Sequence, residues 1–548
     1  MKKFNLHIFQ WFSLVLLLGI MRPLQSETPA RLQQQQLITG LQASVAFLGS
    51  DALQGRAVGS EGELRAAQYL ADQLQKMGVR PANPNDSYFQ EVPLLGLQPS
   101  PRTELNIHTD NYTLTFHLGE DYLIANAFGE TYLPNPVPLV FAGYGIVAPE
   151  YGYDDYRNIS AAGKIVVVLA GEPQSDDPDY FEGNRRTVYS EIQAKQRIAL
   201  SRGAFATLIL SDPRLSEEAW RQMTRDYYFE DVKLPYTPNS HPTLIIHPTR
   251  ANFLFAGREE LAGQIAAGHS PEDLAQDLAV RMTFRGDIRE RTFLGKNVAG
   301  IIPGSDPELS NEYLILSAHY DHLGIGLPVA GDSIYNGVFD NAAGVGATLE
   351  IARSLAADPP ARSVLVLFTT AEEKGLLGSL YYLDNPLVPL QNTVADINID
   401  GLSMFDRFRE VIGIGSHFST LGDFLETYAR ESGLSAASPE FLGDVYAGFV
   451  ASDQFAFAQA GIPSILVNEG HAHENLSGEE GVMLLGAWQQ GVYHSPADDL
   501  QQFINWEAAA QHVAFLEGFT RYVADNPLRP AWHLDGPYAQ FSLQTTSP

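Results

Sequence analysis

The chain has 548 residues, 45% hydrophobic and 18% charged, a composition that suits roughly three or four globular domains and excludes a collagenous or wholly disordered protein. Thirty-five basic against 65 acidic residues leave a net charge of -30, which repels phosphate backbones and anionic lipid and argues against nucleic-acid or membrane-surface binding. The absence of cysteine removes disulfides, thiolate metal sites, cysteine nucleophiles and lipid anchors through cysteine.

Lys2 and Lys3 precede an apolar stretch from about Phe12 to Ile20, followed by Gln25-Ser26-Glu27-Thr28. A charged start, a short apolar middle and a small residue are the parts of a secretory signal, expected over residues 1–26. The apolar run is short of the ~20 residues of a bilayer span, so no stable membrane anchor is expected once it is cleaved. The mature protein is then exported, to a periplasm or the medium. Residues 27–37 are polar and Gln-rich and read as a frayed leader. From Glu61 to Met77 the residues Leu64, Ala67, Leu70, Leu74 and Met77 recur at three- and four-residue steps, which predicts an amphipathic helix stopped by Gly78.

From about 130 to 285 the pattern changes. Val137–Tyr144, Lys164–Leu169, Phe205–Leu210 and Thr243–His247 are short β-type runs, with a helix expected at 188–202. This predicts a smaller, strand-rich inserted module. From about 290 strands and helices alternate: apolar runs at Tyr313–Ala318, Ser363–Phe368, Val394–Ile399, Val411–Gly415 and Pro463–Val467, with helices such as Gly344–Leu355 and Leu421–Ser432 between them. The alternation predicts an α/β fold with a mostly parallel central sheet and helices on both faces. Pro527–Pro548 is a polar tail with no predicted element.

Active groups of open α/β sheets collect past the carboxyl ends of strands. Here those ends carry His319-Tyr-Asp-His322, Thr369-Thr-Ala-Glu-Glu373 and Asp400; Asp340-Asn341 precedes a helix and Tyr493-His494 precedes another helical stretch. Imidazoles and carboxylates converging at one sheet edge suit zinc, which takes His nitrogen and carboxylate oxygen. Five ligands exceed one open catalytic site, and two ions sharing a carboxylate fit the count better. One of the paired glutamates is then left as a general base.

These segments resemble a known family, the co-catalytic di-zinc aminopeptidases, secreted bacterial enzymes related to glutamate carboxypeptidase and the transferrin receptor. The matching stretches are Ser317–Gly324, Asn336–Gly344, Thr370–Ser379, Asn398–Gly401 and Tyr493–Asp498, in the family's order, with Leu53–Arg56 resembling its opening. Phe141–Gly145 and Gly163–Val167 look like a protease-associated (PA) domain. The resemblance implies a peptidase domain in two parts, 27–129 and 286–527, with the PA domain inserted at 130–285 and a tail at 528–548. It implies two Zn2+ ions, one held by His319 and Asp400, the other by Glu373 and His494, with Asp340 bridging both. Glu372 would be the general base and Tyr493 the oxyanion donor, and Asp321 would hold the far nitrogen of the His319 ring. The Asp340–Asn341 peptide is expected to be cis, as is often so in the family. The substrates implied are peptides with a free amino terminus; the sequence carries no cue to an oligomeric state.

Gln454, in Ala451-Ser-Asp-Gln-Phe455, stands where the family commonly has histidine, which leaves the pocket wall open there, and Asp453 reads equally as a support of the site or as structure. His322 is expected to point away from His319, and Gly470-His-Ala-His-Glu474 to be a polar loop rather than a metal cluster. Gly344-Val-Gly346 lies inside a helix and cannot open a dinucleotide site, and no Gly-x-Ser-x-Gly elbow occurs. A carboxypeptidase of the same fold would need a cationic pocket, and no arginine cluster advertises one. A glutaminyl cyclase of this family generally changes part of the ligand set. A receptor-like relative typically loses ligands, and none is lost here.

Overall fold

A computed structural model of the chain describes residues 29–126, 131–183, 186–237, 241–266, 271–438 and 445–542. The expected signal segment at 1–26 lies outside them.

The main sheet is built from β1 (Arg80–Pro81), β2 (Phe89–Pro99), β3 (Asp231–Lys233), β4 (Ile288–Ile302), β5 (Tyr313–His319), β6 (Ser363–Thr369), β7 (Thr393–Asn398), β8 (Glu410–Ile414), β9 (Ser435–Ala437) and β10 (Ser464–Glu469). Its order is β3-β2-β4-β6-β5-β7-β10-β8-β9, with β1 paired to β4. The core, β6-β5-β7-β10, is parallel. The flanks are antiparallel where β2 meets β4, β4 meets β6 and β8 meets β10. The expected parallel sheet is thus the centre of a mixed one. Strands buried on both faces read as unbroken apolar runs, as β5 and β6 do. Leu314, Leu316 and Ala318 pack on one face under the helices Pro29–Leu48, Gly344–Ala357 and Trp506–Asp525, while Ile315, Leu365 and Leu367 pack on the other with Tyr382 and Phe457.

The helix Glu61–Lys76 forms where expected, N-capped by Ser60. Its buried stripe is Ala66, Ala67, Leu70, Ala71 and Leu74; Leu64 is exposed, and the face it was assigned to buries Glu63 instead. The Gln-rich leader is not frayed throughout. Residues 29–48 are helical, and although 32–36 face solvent, Leu41, Val45 and Leu48 are buried in the main core. The described part of the tail also packs: Trp532, Tyr538 and Phe541 join Phe418 and Phe449 in a small aromatic core.

A second sheet has eight strands, in the order Thr113–Phe116, Glu104–His108, Gln276–Gly286, Thr131–Phe141, Ile165–Leu169, Ala206–Leu210, Thr243–Ile246, Tyr122–Asn126. The boundary expected at 129/130 therefore moves: residues 104–126, assigned to the first part of the peptidase domain, belong to this module. The reason is burial, since Leu105, Ile107, Phe116, Tyr122 and Ile124 fill its core. Conversely β3, from inside the expected insertion, pairs with β2 on the main sheet. The chain leaves the main sheet along β2 and returns along β4, eleven residues in continuous antiparallel register.

Candidate metal centre

Parallel register sets the site. His319 ends β5 beside Thr369 of β6, and Ser317 aligns with Asn398 of β7, so the loops carrying Glu372–Glu373 and Asp400 emerge side by side. Asp340 enters from the turn before the helix Gly344–Ala357, and its peptide bond to Asn341 is cis, as expected. Asn341 staples three loops: its Nδ2 donates to the carbonyls of Ile399 (2.9 Å) and His319 (3.3 Å), and its Oδ1 accepts from Gly401 N (3.0 Å) and Gly344 N (3.1 Å). Ala371 (φ 55°) and His494 (φ 51°) hold left-handed backbone that disfavours a Cβ, a local cost found where structure positions function.

The sequence-predicted residues converge. His319 Nε2 lies 3.1 Å from Asp340 Oδ1 and 3.2 Å from Asp400 Oδ1. His494 Nε2 lies 3.2 Å from Asp340 Oδ2 and 3.3 Å from Glu373 Oε2. The two oxygens of Asp340 thus face two different ligand sets. Neighbouring ligands of a tetrahedral zinc with ~2.0 Å bonds stand about 3.3 Å apart, which is the spacing seen here. The His494 Nε2 is buried without a hydrogen-bond partner among the described residues, as a nitrogen aimed at an ion would be. Among those residues, ligand atoms of His319, Glu372 and Asp400, and of His319, Asp340 and Glu373, lie within 4.8 Å of one another. Glu372 therefore sits against one half of the site.

Electrostatics follow from this crowding. Burial alone lowers the His319 pKa, but Glu372, Asp400 and Asp340 outweigh it and raise it well above its ordinary value. Burial likewise works against His494, and Glu373 and Asp340 reverse it. Asp340 and Glu373 resist the upward push of burial because the histidines hold them well below the usual carboxylate range. Glu372 is raised well above it, by burial first, with Asp400, Glu373 and Asp453 adding to the effect against His319. The Tyr493 phenol stacks on the His494 ring at 3.8 Å and is also raised, by burial and by the surrounding carboxylates, so it keeps its proton.

Two expectations change. The Asp321 carboxylate does not hold the His319 ring: His319 Nδ1 meets the Asp321 backbone oxygen at 3.2 Å, with the carboxylate at 3.9 Å. That carboxylate instead accepts from Glu372 N (3.1 Å), and burial raises its pKa to about 8. His322 does not point out of the site. The loop curls after β5 ends, and His322 Nδ1 lies 2.5 Å from Glu373 Oε1, fully buried. Strand alternation misplaced it because the strand stops at His319.

Other supports had weaker signals. Asp498, inside the Tyr493–Asp498 stretch, accepts from Phe339 N (2.8 Å) and Asp340 N (3.1 Å) and fixes the Asp340 turn. Asp453 is buried structure behind the site, accepting from Thr369 (2.5 Å) and Ser379 (2.6 Å). Gln454 is buried and tied to Asn398 (2.7 Å) and the Phe449 carbonyl (2.8 Å), so its side chain is part of the interior. In the Gly470–Glu474 loop, His471 N donates to Glu410 (2.9 Å) and Glu474 pairs with Arg407 (3.2 Å).

Residues 297–519 match the model of peptidase family M28. This segment contains every residue of the converging set. The chain is 23% identical over 294 residues to a vacuolar membrane protease of Schizosaccharomyces japonicus (53% of this chain, 30% of that one). It is 27% identical over 195 residues to that of Yarrowia lipolytica (34% and 18%). It thus spans less than a third of these curated relatives. An aminopeptidase structure from Aneurinibacillus sp. strain AM-1 has the same fold, with a TM-score of 0.55 and 19% identity over 91% of this chain and 96% of that one. No helix among the described residues is long and apolar enough to cross a membrane.

Proposed function

We propose that the chain is an exported zinc aminopeptidase that uses two ions, one held by His319 and Asp400, the other by Glu373 and His494, with Asp340 shared. The observation that carries the reading is the division of the two Asp340 oxygens between the two histidines at 3.1 and 3.2 Å. When bound, zinc polarises a peptide carbonyl and lowers the pKa of water. Glu372, beside His319 and Asp400, accepts the proton of the attacking water on its carboxylate and passes it to the leaving amine. Tyr493, protonated and next to His494, donates to the oxyanion that develops on the carbonyl oxygen. A peptide with a free amino terminus suits a cleft this rich in carboxylates, because its ammonium group meets unlike charge. The strand-rich second module, which resembles a PA domain, would shape access to the cleft, and the Lys2–Ile20 stretch would direct export.

The test is to incubate the protein and zinc with free and amino-blocked peptides and follow products by mass spectrometry. Stepwise loss of amino-terminal residues from free peptides only, abolished in Glu372→Gln, is expected. Shortening from the carboxyl end would overturn the aminopeptidase reading, and loss of ammonia from amino-terminal glutamine would replace it with a cyclase.

A further inference from the structure

Arg56 lies in a short helical turn that follows the helix Pro29–Leu48, and is 1% exposed. It makes no ion pair within 4 Å among the described residues; its partners are backbone oxygens. Nε donates to Tyr320 O (2.9 Å), Nη1 to Leu48 O and Asn336 O (2.6 Å each), and Nη2 to Gly337 O (2.9 Å). Tyr320 follows His319, and Gly337 lies three residues before Asp340. One guanidinium therefore joins the two loops that bring His319 and Asp340 to 3.1 Å, and ties both to the end of the first helix.

The backbone around it is built for this. Gln54, Gly55 and Arg56 all have positive φ (50°, 69° and 52°). A Cβ on Gly55 would stand 2.2 Å from Tyr335 O and 2.7 Å from Gly324 O, so the turn threads between residues flanking the same loops. Arg56 O in turn accepts from His322 N (3.3 Å), the residue whose ring holds Glu373. Asn336, next to the clamp, donates to Gly49 O (3.0 Å) and Asp51 (2.9 Å), so the same segment is gripped twice.

A buried cation without a contacting anion is costly. Here Asp498, Asp340, Asp321 and Glu373 lie near enough to offset part of the burial that lowers the Arg56 pKa to about 10. Arginine suits the place because its planar fork reaches several carbonyls at once, which the single ammonium of lysine cannot do.

We infer that Arg56 is a positioning residue: by bonding the carbonyls of Tyr320, Asn336 and Gly337, it holds the His319 and Asp340 loops at metal-binding spacing before any ion arrives. The inference rests on the metal-centre reading above and extends it to a residue outside the matched segment 297–519.

The variant that isolates the role is Arg56→Lys, which keeps the positive charge near the ions but loses most of the clamp. The control is Arg362→Lys. Arg362 is equally buried and donates to Glu312 (2.6 Å) and the Val523 carbonyl (3.3 Å), but it sits before β6, at the opposite end of the sheet from the site. Zinc affinity of the full chain is measured by competition with a chromogenic chelator, and stability by urea unfolding of the zinc-free forms. Arg56→Lys is expected to bind zinc tenfold or more weakly, within the range typical of residues that orient ligands. Arg362→Lys is expected to lose stability with zinc affinity within twofold of the parent. Equal zinc affinity in Arg56→Lys and parent would overturn the inference. A parent that does not bind zinc would overturn the metal-centre reading instead. If Arg56→Lys unfolds at 25 °C, zinc affinity is read at 5 °C in an osmolyte buffer on the folded fraction, with the same criteria.

Discussion

The two sheets share parallel strands that end in polar residues, yet among the described residues only the main sheet gathers such ends into groups that could hold an ion. In the second sheet the ionisable residues at these ends find partners nearby. Glu172, after Ile165–Leu169, accepts from Thr187 N (2.7 Å) and its hydroxyl; Asp212, after Ala206–Leu210, pairs with Arg214 (2.6 Å); His247, after Thr243–Ile246, meets Thr249 (2.8 Å). In the main sheet Asp340, Glu373, Asp400, His319 and His494 face one another with no Lys or Arg within pairing distance among the described residues. Strand-end carboxylates are ordinary; carboxylates from several strands left without local partners are what call for cations. Parallel strand ends thus give a structural edge or a candidate metal centre according to whether each ionisable group finds a partner nearby.

That contrast can be broken most severely at the base. If Glu372 is the base, Glu372→Gln is expected to lower kcat about 10²–10⁴-fold with the zinc content of the parent, measured by peptide turnover and metal analysis. Next comes the metal itself: chelation should abolish activity and lower the Tm, and readdition of zinc should restore both, whereas Asp340→Asn should be restored by neither. His322→Ala, which frees Glu373 Oε1, should weaken zinc binding about 10–100-fold with little loss of fold, read by chelator competition.

The second sheet should respond in stability alone. Burial pushes the Asp155 carboxyl from 3.8 to about 7. Between those values the folded state keeps a proton that the unfolded state has lost, so Asp155 lowers stability as pH rises from about 4 to 7. Asp155→Asn should remove that slope, compared by urea unfolding across the range, with zinc affinity unchanged. Smallest is Thr187→Ala, which takes a hydroxyl from Glu172 and from the turn it caps at Tyr189 N (3.2 Å). It should cost about 1 kcal/mol of stability and leave peptide turnover intact. Loss of turnover in either variant would show that the second module acts on the chemistry.

The elements around the site were legible where one strong local pattern dominated. β5, β6 and β7 are buried on both faces and mostly apolar, so their existence and carboxyl ends could be read within a residue or two. Strands with mixed faces were not: Glu104–His108 and Thr113–Phe116 are polar every second residue, and this hairpin joins the second sheet only because Glu104–His108 pairs with Gln276–Gly286, far along the chain. The helix at Pro29–Leu48 escaped because residues 32–36 are exposed and mostly Gln.

By itself the sequence determined which side chains could do chemistry, because residue type and position after a strand are local properties. Its resemblance to a family marked the candidate ligands His319, Asp340, Glu373, Asp400 and His494, which the structure brings together, and the base candidate Glu372 beside them. What only the tertiary structure decided is how that set is held. Arg56, Glu63 and Asp498 are buried polar residues with partners more than 150 positions away; Arg56 and Asp498 fall in matching stretches, but nothing in the sequence marks what any of the three holds. The direction of His322, the partner of Asp321 and the interior place of Gln454 were decided the same way. A hydrogen bond needs two groups within about 3 Å, and for residues far apart in the chain that proximity exists only once the sheet has fixed its register.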